Sequence, residues 1–231
     1  MDARQQLREG VRLILAIIGV GNIGGTLARQ LVAGGEAVIV AAKDEANAEV
    51  LANELGPRVR AASVEDAIAN ADAVIFAVWL DTTRELIAQH ASLLENKVVV
   101  DPSNPIGFDA DGQTSRTLPD DQSAAAVVAA LLPASAHYVK ALGTLSAPAL
   151  ASGANREPRA VLFYATDDDT AATTIERLIR ASGFEPLKAG GVADARRIEA
   201  PGGDLHQFAL NGELVDLDQA NAAIAARKVT A

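Results

Sequence analysis

The chain has 231 residues, of which 49% are hydrophobic and 22% charged. This is the balance of a globular protein of one large domain, or of one with a smaller companion, and it excludes a disordered or collagen-like chain. A formal net charge of −10 makes nucleic acid and anionic membrane surfaces poor partners, and the absence of cysteine removes disulfides and a thiolate nucleophile and fits a cytoplasmic protein.

In chain order, Met1–Glu9 is polar and of mixed charge, unlike a signal peptide. Leu13–Ile18 is a short apolar run ended by glycine, the pattern of a strand buried on both faces. Ile23, Leu27 and Leu31 recur at four-residue spacing and predict a helix stopped by Gly34-Gly35. Ala37–Val40 reads as a second strand and Asp44–Leu55 as a second helix. Ser63 and Thr82 each open a capping-box pattern, predicting helices over 63–69 and 82–94. Strands are predicted at Ala73–Val78, Lys97–Val100 and His137–Leu142, with a helix over Asp121–Leu132. The longest apolar runs, 13–20 and 124–132, fall short of the ~20 residues a membrane span needs.

Strands alternating with helices at this spacing predict a parallel sheet with right-handed crossovers. The polar stretch Ser103–Pro119 is long for a connection inside a compact domain, which marks it as a functional loop. A boundary is placed after Leu142, dividing the chain into 1–142 and a smaller α/β part, 143–231. In the second part Ala160–Thr166 reads as a strand, Asp168–Ser182 as a helix, and Phe184–Lys188 as an edge strand because it contains Pro186. A short helix over 194–200 and a terminal helix over 217–228 complete the expectation.

Gly19-Val-Gly21-Asn-Ile-Gly24 is a G-x-G-x-x-G pattern that leaves a buried strand and opens a helix inside a βαβ unit. Gly19 makes the tight turn, Gly21 lets a pyrophosphate approach the backbone, and Gly24 lets helix and strand pack closely. The helix N-terminus adds unpaired N–H groups and partial positive charge. NAD-binding units place an acid at the end of the second strand to receive the ribose hydroxyls. Here that strand ends Val40-Ala41-Ala42-Lys43, with small residues and a cation suited to a 2′-phosphate. Asp44 is the alternative ribose acceptor. Ala77-Val78-Trp79 and Asp101–Pro105 follow two further strands on the same carboxyl edge, where ligands bind in such sheets. Trp79 is placed to stack on a cofactor ring or to pack, and Ser103 and Asn104 to bond a carboxamide or ribose.

The segment Ile17–Gly25, the small-small-basic end of the second strand and Val139-Lys-Ala-Leu-Gly-Thr144 resemble the family of NADPH-dependent reductases of the deazaflavin coenzyme F420. The resemblance implies a Rossmann-type doubly wound sheet, a homodimer, and hydride transfer between NADP and a planar deazaflavin or flavin-like acceptor. It implies that Gly21, Asn22 and Ile23 contact the pyrophosphate, Ala42 and Lys43 the 2′-phosphate, and Val78 and Trp79 the nicotinamide side. Lys43 stands where the family typically has Arg, keeping the charge and losing the bidentate fork.

Other chemistry has less support in the residues. Neither Tyr138 nor Tyr164 has the lysine four residues later that a short-chain dehydrogenase needs. His90 and His137 read as structural, and His206, after a glycine-rich turn, is the best histidine for a site. Asp167–Asp169 at a helix start reads as dipole compensation rather than a metal site. No catalytic acid or base is assigned, in keeping with hydride transfer between two held rings, which needs proximity and orientation above all. The contrasting expectation is a non-catalytic NADP(H) sensor that reports redox state to a protein partner.

Overall fold

The computed structural model describes residues 13–108 and 114–226. The readings made for Met1–Glu9, for residues 109–113 of the long loop and for the last two positions of the terminal helix lie outside the described residues.

β1 (Ile14–Ile18) is buried at every position and leads through the glycine turn into α1 (Asn22–Ala33). β2 (Ala37–Ala41), α2 (Glu45–Leu55), β3 (Val59–Ala61), α3 (Val64–Asn70), β4 (Ala73–Phe76), α4 (Leu80–His90) and β5 (Val98–Asp101) follow. A hairpin of β6 (Ile106–Phe108) and β7 (Thr114–Arg116) occupies the long polar loop. Then come α5 (Ala124–Ala129), β8 (His137–Ala141), α6 (Ala147–Gly153), β9 (Val161–Ala165), α7 (Asp169–Ala181), β10 (Glu185–Gly190), a 3₁₀ segment (Val192–Ile198) and α8 (Leu217–Ala225).

One eight-stranded sheet runs β10-β9-β8-β5-β4-β1-β2-β3. All neighbours are parallel except β8 and β9, which are antiparallel. The order 3-2-1-4-5 with β8 beyond it is that of a doubly wound Rossmann sheet, and its direction reverses between β1 and β4. Residues after Leu142 add β9 and β10 to the same sheet, and β10, with Pro186, is its outer edge.

Alternate residues of each strand serve opposite cores. Leu15 and Ile17 pack with Leu27, Leu31, Leu51, Ile175 and Leu178 on one face. Ile14, Ala16 and Ile18 pack with Ile68, Phe76, Ile87, Val128 and Ile198 on the other. A strand covered by helices on both sides has no solvated face, so continuous apolar runs and small aliphatics suit it.

Several local expectations are corrected. α4 begins at Leu80 with Trp79 as N-cap, so Thr82 lies inside the helix. Leu80 is buried against the sheet, which pulls the helix start back before the polar pattern begins. α5 is shorter than predicted because Ser123 Oγ caps Ala126 N–H at 3.0 Å and the buried Glu199 carboxylate receives Ala124 and Ala125 N–H at 3.0 and 2.8 Å. The 194–200 helix is a 3₁₀ segment two residues earlier. β3, α6 and the β6–β7 hairpin were not anticipated. β3 is three residues long, too short for a periodic signal.

Candidate functional site

The carboxyl ends of β1 and β4 meet at the point where the sheet order reverses. Gly19 has φ +97°, a left-handed conformation that favours glycine. Its N–H donates to Ala41 O at 2.8 Å, and a Cβ there would lie 2.5 Å from Ala77 O and 2.7 Å from Val78 Cγ1. Gly24 is held as tightly: its Cβ would lie 1.9 Å from Gly19 O. Gly21 differs. It is the exposed N-cap of α1, with φ −70°, and a Cβ there would meet nothing within 4 Å.

Two glycines are therefore required by the protein's own packing, whereas the open side of Gly21 faces outward. Asn22 is exposed and Ile23 half-buried in the first turn of α1. Amides of a first helical turn have no intrahelical acceptor, and this turn carries no acidic side chain to neutralise them. The arrangement fits a pyrophosphate.

Beside it lies a cleft of about 770 Å³ lined by Gly21, Arg29, Ala42, Lys43, Asp44 and Glu54, among others. Ala42 is half-buried and Lys43 exposed. Asp44, the alternative ribose acceptor, is instead the N-cap of α2, its Oδ1 receiving Ala46 N–H at 3.2 Å. Arg29 and Glu54, which both line the cleft, are joined in a bidentate pair, Nε–Oε1 at 3.0 Å and Nη2–Oε2 at 2.6 Å.

At the other end of the edge, Ala77 and Val78 are half-buried and Trp79 is 61% exposed. Trp79, Asp81, Ile106, Gly107 and Thr117 line a smaller hollow of about 210 Å³. Ser103 and Asn104 turn inward rather than presenting free side chains. The Ser103 hydroxyl donates to Asp101 Oδ1 at 2.6 Å, and Asn104 Nδ2 donates to Gly143 O at 2.8 Å while its Oδ1 receives Ala200 N–H at 2.9 Å. Asn104 thus ties three segments together: the turns after β5 and β8 and the chain that follows the 3₁₀ segment.

Under this turn is a polar cluster that the sequence reading missed. Lys140 Nζ and Asp101 Oδ2 are 3.0 Å apart, both essentially inaccessible to water. Tyr138 OH donates to the same Oδ2 at 2.9 Å, and Lys140 also donates to Ser103 O. Burial, followed by the Asp101 charge, pushes the Tyr138 phenol well above its ordinary range. The signal available beforehand was the lone cation in the buried strand His137-Tyr-Val-Lys140.

Leu142, at φ +66°, lies just past the end of β8 in a conformation uncommon for a bulky residue. His206 packs beneath Phe208 with ring centroids 4.9 Å apart. Burial pulls the His206 imidazole down to about 4, against a smaller opposing effect of its hydrogen bond with the Gly143 backbone. His137 Nδ1 lies 2.7 Å from Asp168 Oδ2, and Asp168 Oδ1 caps α7 through Ala171 N–H at 2.8 Å. His90 ends α4. Among the described residues no group of three or more histidines and carboxylates is arranged to hold a metal ion, and no helix is long and apolar enough to cross a membrane.

A doubly wound sheet with a glycine turn at its reversal point, a helix N-terminus without acidic side chains and a cleft beyond the second strand that presents Arg29 and Lys43 defines a dinucleotide-binding α/β protein. The model of the family described as "NADP oxidoreductase coenzyme F420-dependent" matches residues 14–105 of the chain. It is 32% identical over 186 residues to "Metalloreductase STEAP3" of Rattus norvegicus, covering 80% of this chain and 36% of that protein. The chain therefore spans about a third of that relative. It is 28% identical over 198 residues to the "F420-dependent NADP reductase" of Methanothermobacter thermautotrophicus, covering 82% of this chain and 85% of that one. The crystal structure of protein SMa0349 from Sinorhizobium meliloti superposes with a TM-score of 0.76 at 29% identity, covering 87% and 96% of the two chains.

Proposed function

We propose that this chain is an NADP(H)-dependent oxidoreductase that passes hydride between NADPH and a planar redox acceptor, a deazaflavin or flavin. The observation that carries the reading is the pairing of an outward-facing Gly21 with the Lys43-lined cleft next to it. In this reading the backbone amides of Gly21, Asn22 and Ile23 hold the pyrophosphate, with Gly19 and Gly24 shaping the turn. Lys43 meets the 2′-phosphate, for which the small Ala42 leaves room. Ala77, Val78 and Trp79 form one wall at the nicotinamide end. Ser103 and Asn104 set the opposite wall through the internal bonds that fix the turn after β5.

When bound, NADPH supplies the hydride. The residues of the chain supply position and exclude water. Reduction of a keto acid needs a general acid for the nascent alkoxide. The candidates at this edge are committed elsewhere: His206 is buried and held neutral, and Lys140 is locked to Asp101. Hydride delivery to a ring carbon makes no such demand, so a planar acceptor fits. The similarity to a protein named as an F420-dependent NADP reductase supports a deazaflavin as the acceptor. The homodimer and the cytoplasmic location belong to the same proposal.

The test combines calorimetry of NADPH and NADH with stopped-flow oxidation of NADPH against deazaflavin, flavin, quinone and keto-acid panels. Turnover with a deazaflavin or flavin is expected. Turnover confined to keto acids, or tight NADPH binding with no turnover on any acceptor, would overturn it.

A further inference from the structure

We infer that Arg29 is a second cation for the 2′-phosphate and that Glu54 is its counter-ion, displaced when the phosphate arrives. The inference rests on the reading that the bound dinucleotide is NADP(H), and it names a specificity-determining pair that the second-strand pattern does not contain.

Arg29 lies two turns into α1, yet its side chain leans back toward the helix N-terminus, as long helical side chains do. Nη1 donates to Gly25 O at 3.1 Å, which sets the guanidinium over the first turn. Arg29, Gly21 and Lys43 line the same cleft, so the pyrophosphate turn, the lysine and the arginine border one continuous space. Glu54, from the last turn of α2, holds the guanidinium through two bonds. Both partners are about half exposed, at 48% and 50%.

The charge balance explains the pairing. Arg29 and Lys43 bring two positive charges to the cleft, and Asp44 and Glu54 bring two negative ones. Asp44 is committed to capping α2, which leaves Glu54 as the exchangeable carboxylate. A phosphate monoester carries a charge of about −1.5 to −2 near neutral pH and accepts a guanidinium fork as readily as a carboxylate does. Because Glu54 is half exposed, water can solvate it once Arg29 turns to the phosphate, so the exchange buries no unpaired charge. The guanidinium fork of Arg29 supplies a bidentate contact that the point charge of Lys43 cannot make. A ribose without the phosphate offers no anion to compete with Glu54, so NADH leaves the pair intact.

The test is calorimetric titration of the full chain with NADPH, NADH, 2′,5′-ADP and 5′-AMP, for wild type, Arg29→Gln, Glu54→Gln and Lys43→Ala, each checked for native circular dichroism and melting temperature. Arg29→Gln is expected to weaken NADPH and 2′,5′-ADP by roughly tenfold, the scale of one charge-assisted contact, and to move NADH and 5′-AMP by less than about twofold. Glu54→Gln is expected to tighten NADPH and 2′,5′-ADP. If Arg29→Gln weakens phosphorylated and unphosphorylated ligands alike, or neither, while Lys43→Ala still loses the preference, the inference is overturned and the NADP(H) reading stands. If wild type binds NADH as tightly as NADPH, the NADP(H) reading itself falls, and the inference with it. A loss of NADPH affinity in Glu54→Gln would also overturn the inference, since it would make Glu54 a support of Arg29 and not its competitor.

Discussion

Gly24 lies so close to Gly19 that a single methyl group on it would sit 1.9 Å from the Gly19 carbonyl oxygen. Gly21, two residues from Gly19, has open space on the side where its Cβ would point. The glycines of one motif are therefore needed for opposite reasons, and substitution separates them.

Gly24→Ala must push α1 away from the turn. Overpacking of this kind costs about 1–3 kcal/mol, and the contact here is with backbone, which has little room to relax. A lowered urea midpoint with unchanged slope is the expected outcome. Gly21→Val should cost no more than about 1 kcal/mol, the scale of a poorer N-cap, and should lose NADPH binding by calorimetry. Wild-type affinity in that variant would remove the pyrophosphate from Gly21.

Lys43→Ala should reduce the preference for NADPH over NADH by about 1.5–3 kcal/mol, the range of a hydrogen bond to a charged group, and leave the share that Arg29 contributes. Because Lys43 is exposed, the wild-type preference should shrink as salt rises from 0.05 to about 0.5 M and the Debye length contracts. A salt-independent preference would place the discrimination elsewhere.

The buried pair of Asp101 and Lys140 makes a stability prediction. Lys140→Met leaves the Asp101 carboxylate with Tyr138 and Ser103 but without a countercharge. Breaking one side of a buried pair costs about 3–5 kcal/mol. The double variant Lys140→Met with Asp101→Asn should recover part of that loss, because no unpaired charge remains. Urea unfolding of the single and double variants provides the cycle. A double variant as unstable as the sum of the singles would show that the two groups are not coupled.

His206 predicts the acid limb of the stability profile. Its folded value, near 4, lies below the ordinary histidine value of 6.5, so the unfolded chain binds the proton first. Stability from keeping this ring neutral is complete above pH 6.5 and declines as pH falls toward 4. The two values correspond to a loss of about 2 kcal/mol between pH 7.5 and pH 5. His206→Gln should flatten that part of the profile relative to wild type. Parallel profiles for the two proteins over this window would refute the assignment.

Asp168 acts in the opposite range. Burial raises its carboxyl, but the hydrogen bonds from His137 and from the Ala171 and Thr170 amides outweigh it, and the net shift is downward. Its contribution is therefore present above the ordinary carboxylate range and lost as pH falls through the folded value. Asp168→Asn should destabilise the protein at neutral pH, with the difference from wild type closing in acid.

The dinucleotide motif and most of the sheet were legible in the sequence because their causes are local. A strand buried on both faces must be continuously apolar, a helix must show its period, and the turn between β1 and α1 needs glycine within six residues. The end of β2, with Ala42 and Lys43 in place of an acid, was legible for the same reason. What only the tertiary structure decided depends on residues far apart in the chain. Lys140 meets Asp101 across 39 residues, and Asn104 spans 96 residues to reach Ala200. Those contacts turn Ser103 and Asn104 inward, although both residue types are equally able to face a ligand. Asp44, by contrast, caps α2 through a contact only two residues away. Arg29 joins the cleft because α1 and α2 pack side by side against the sheet, which brings Glu54 opposite it. No period or motif encodes that meeting, since a polar side chain takes whichever partner the packing of the apolar core brings within reach.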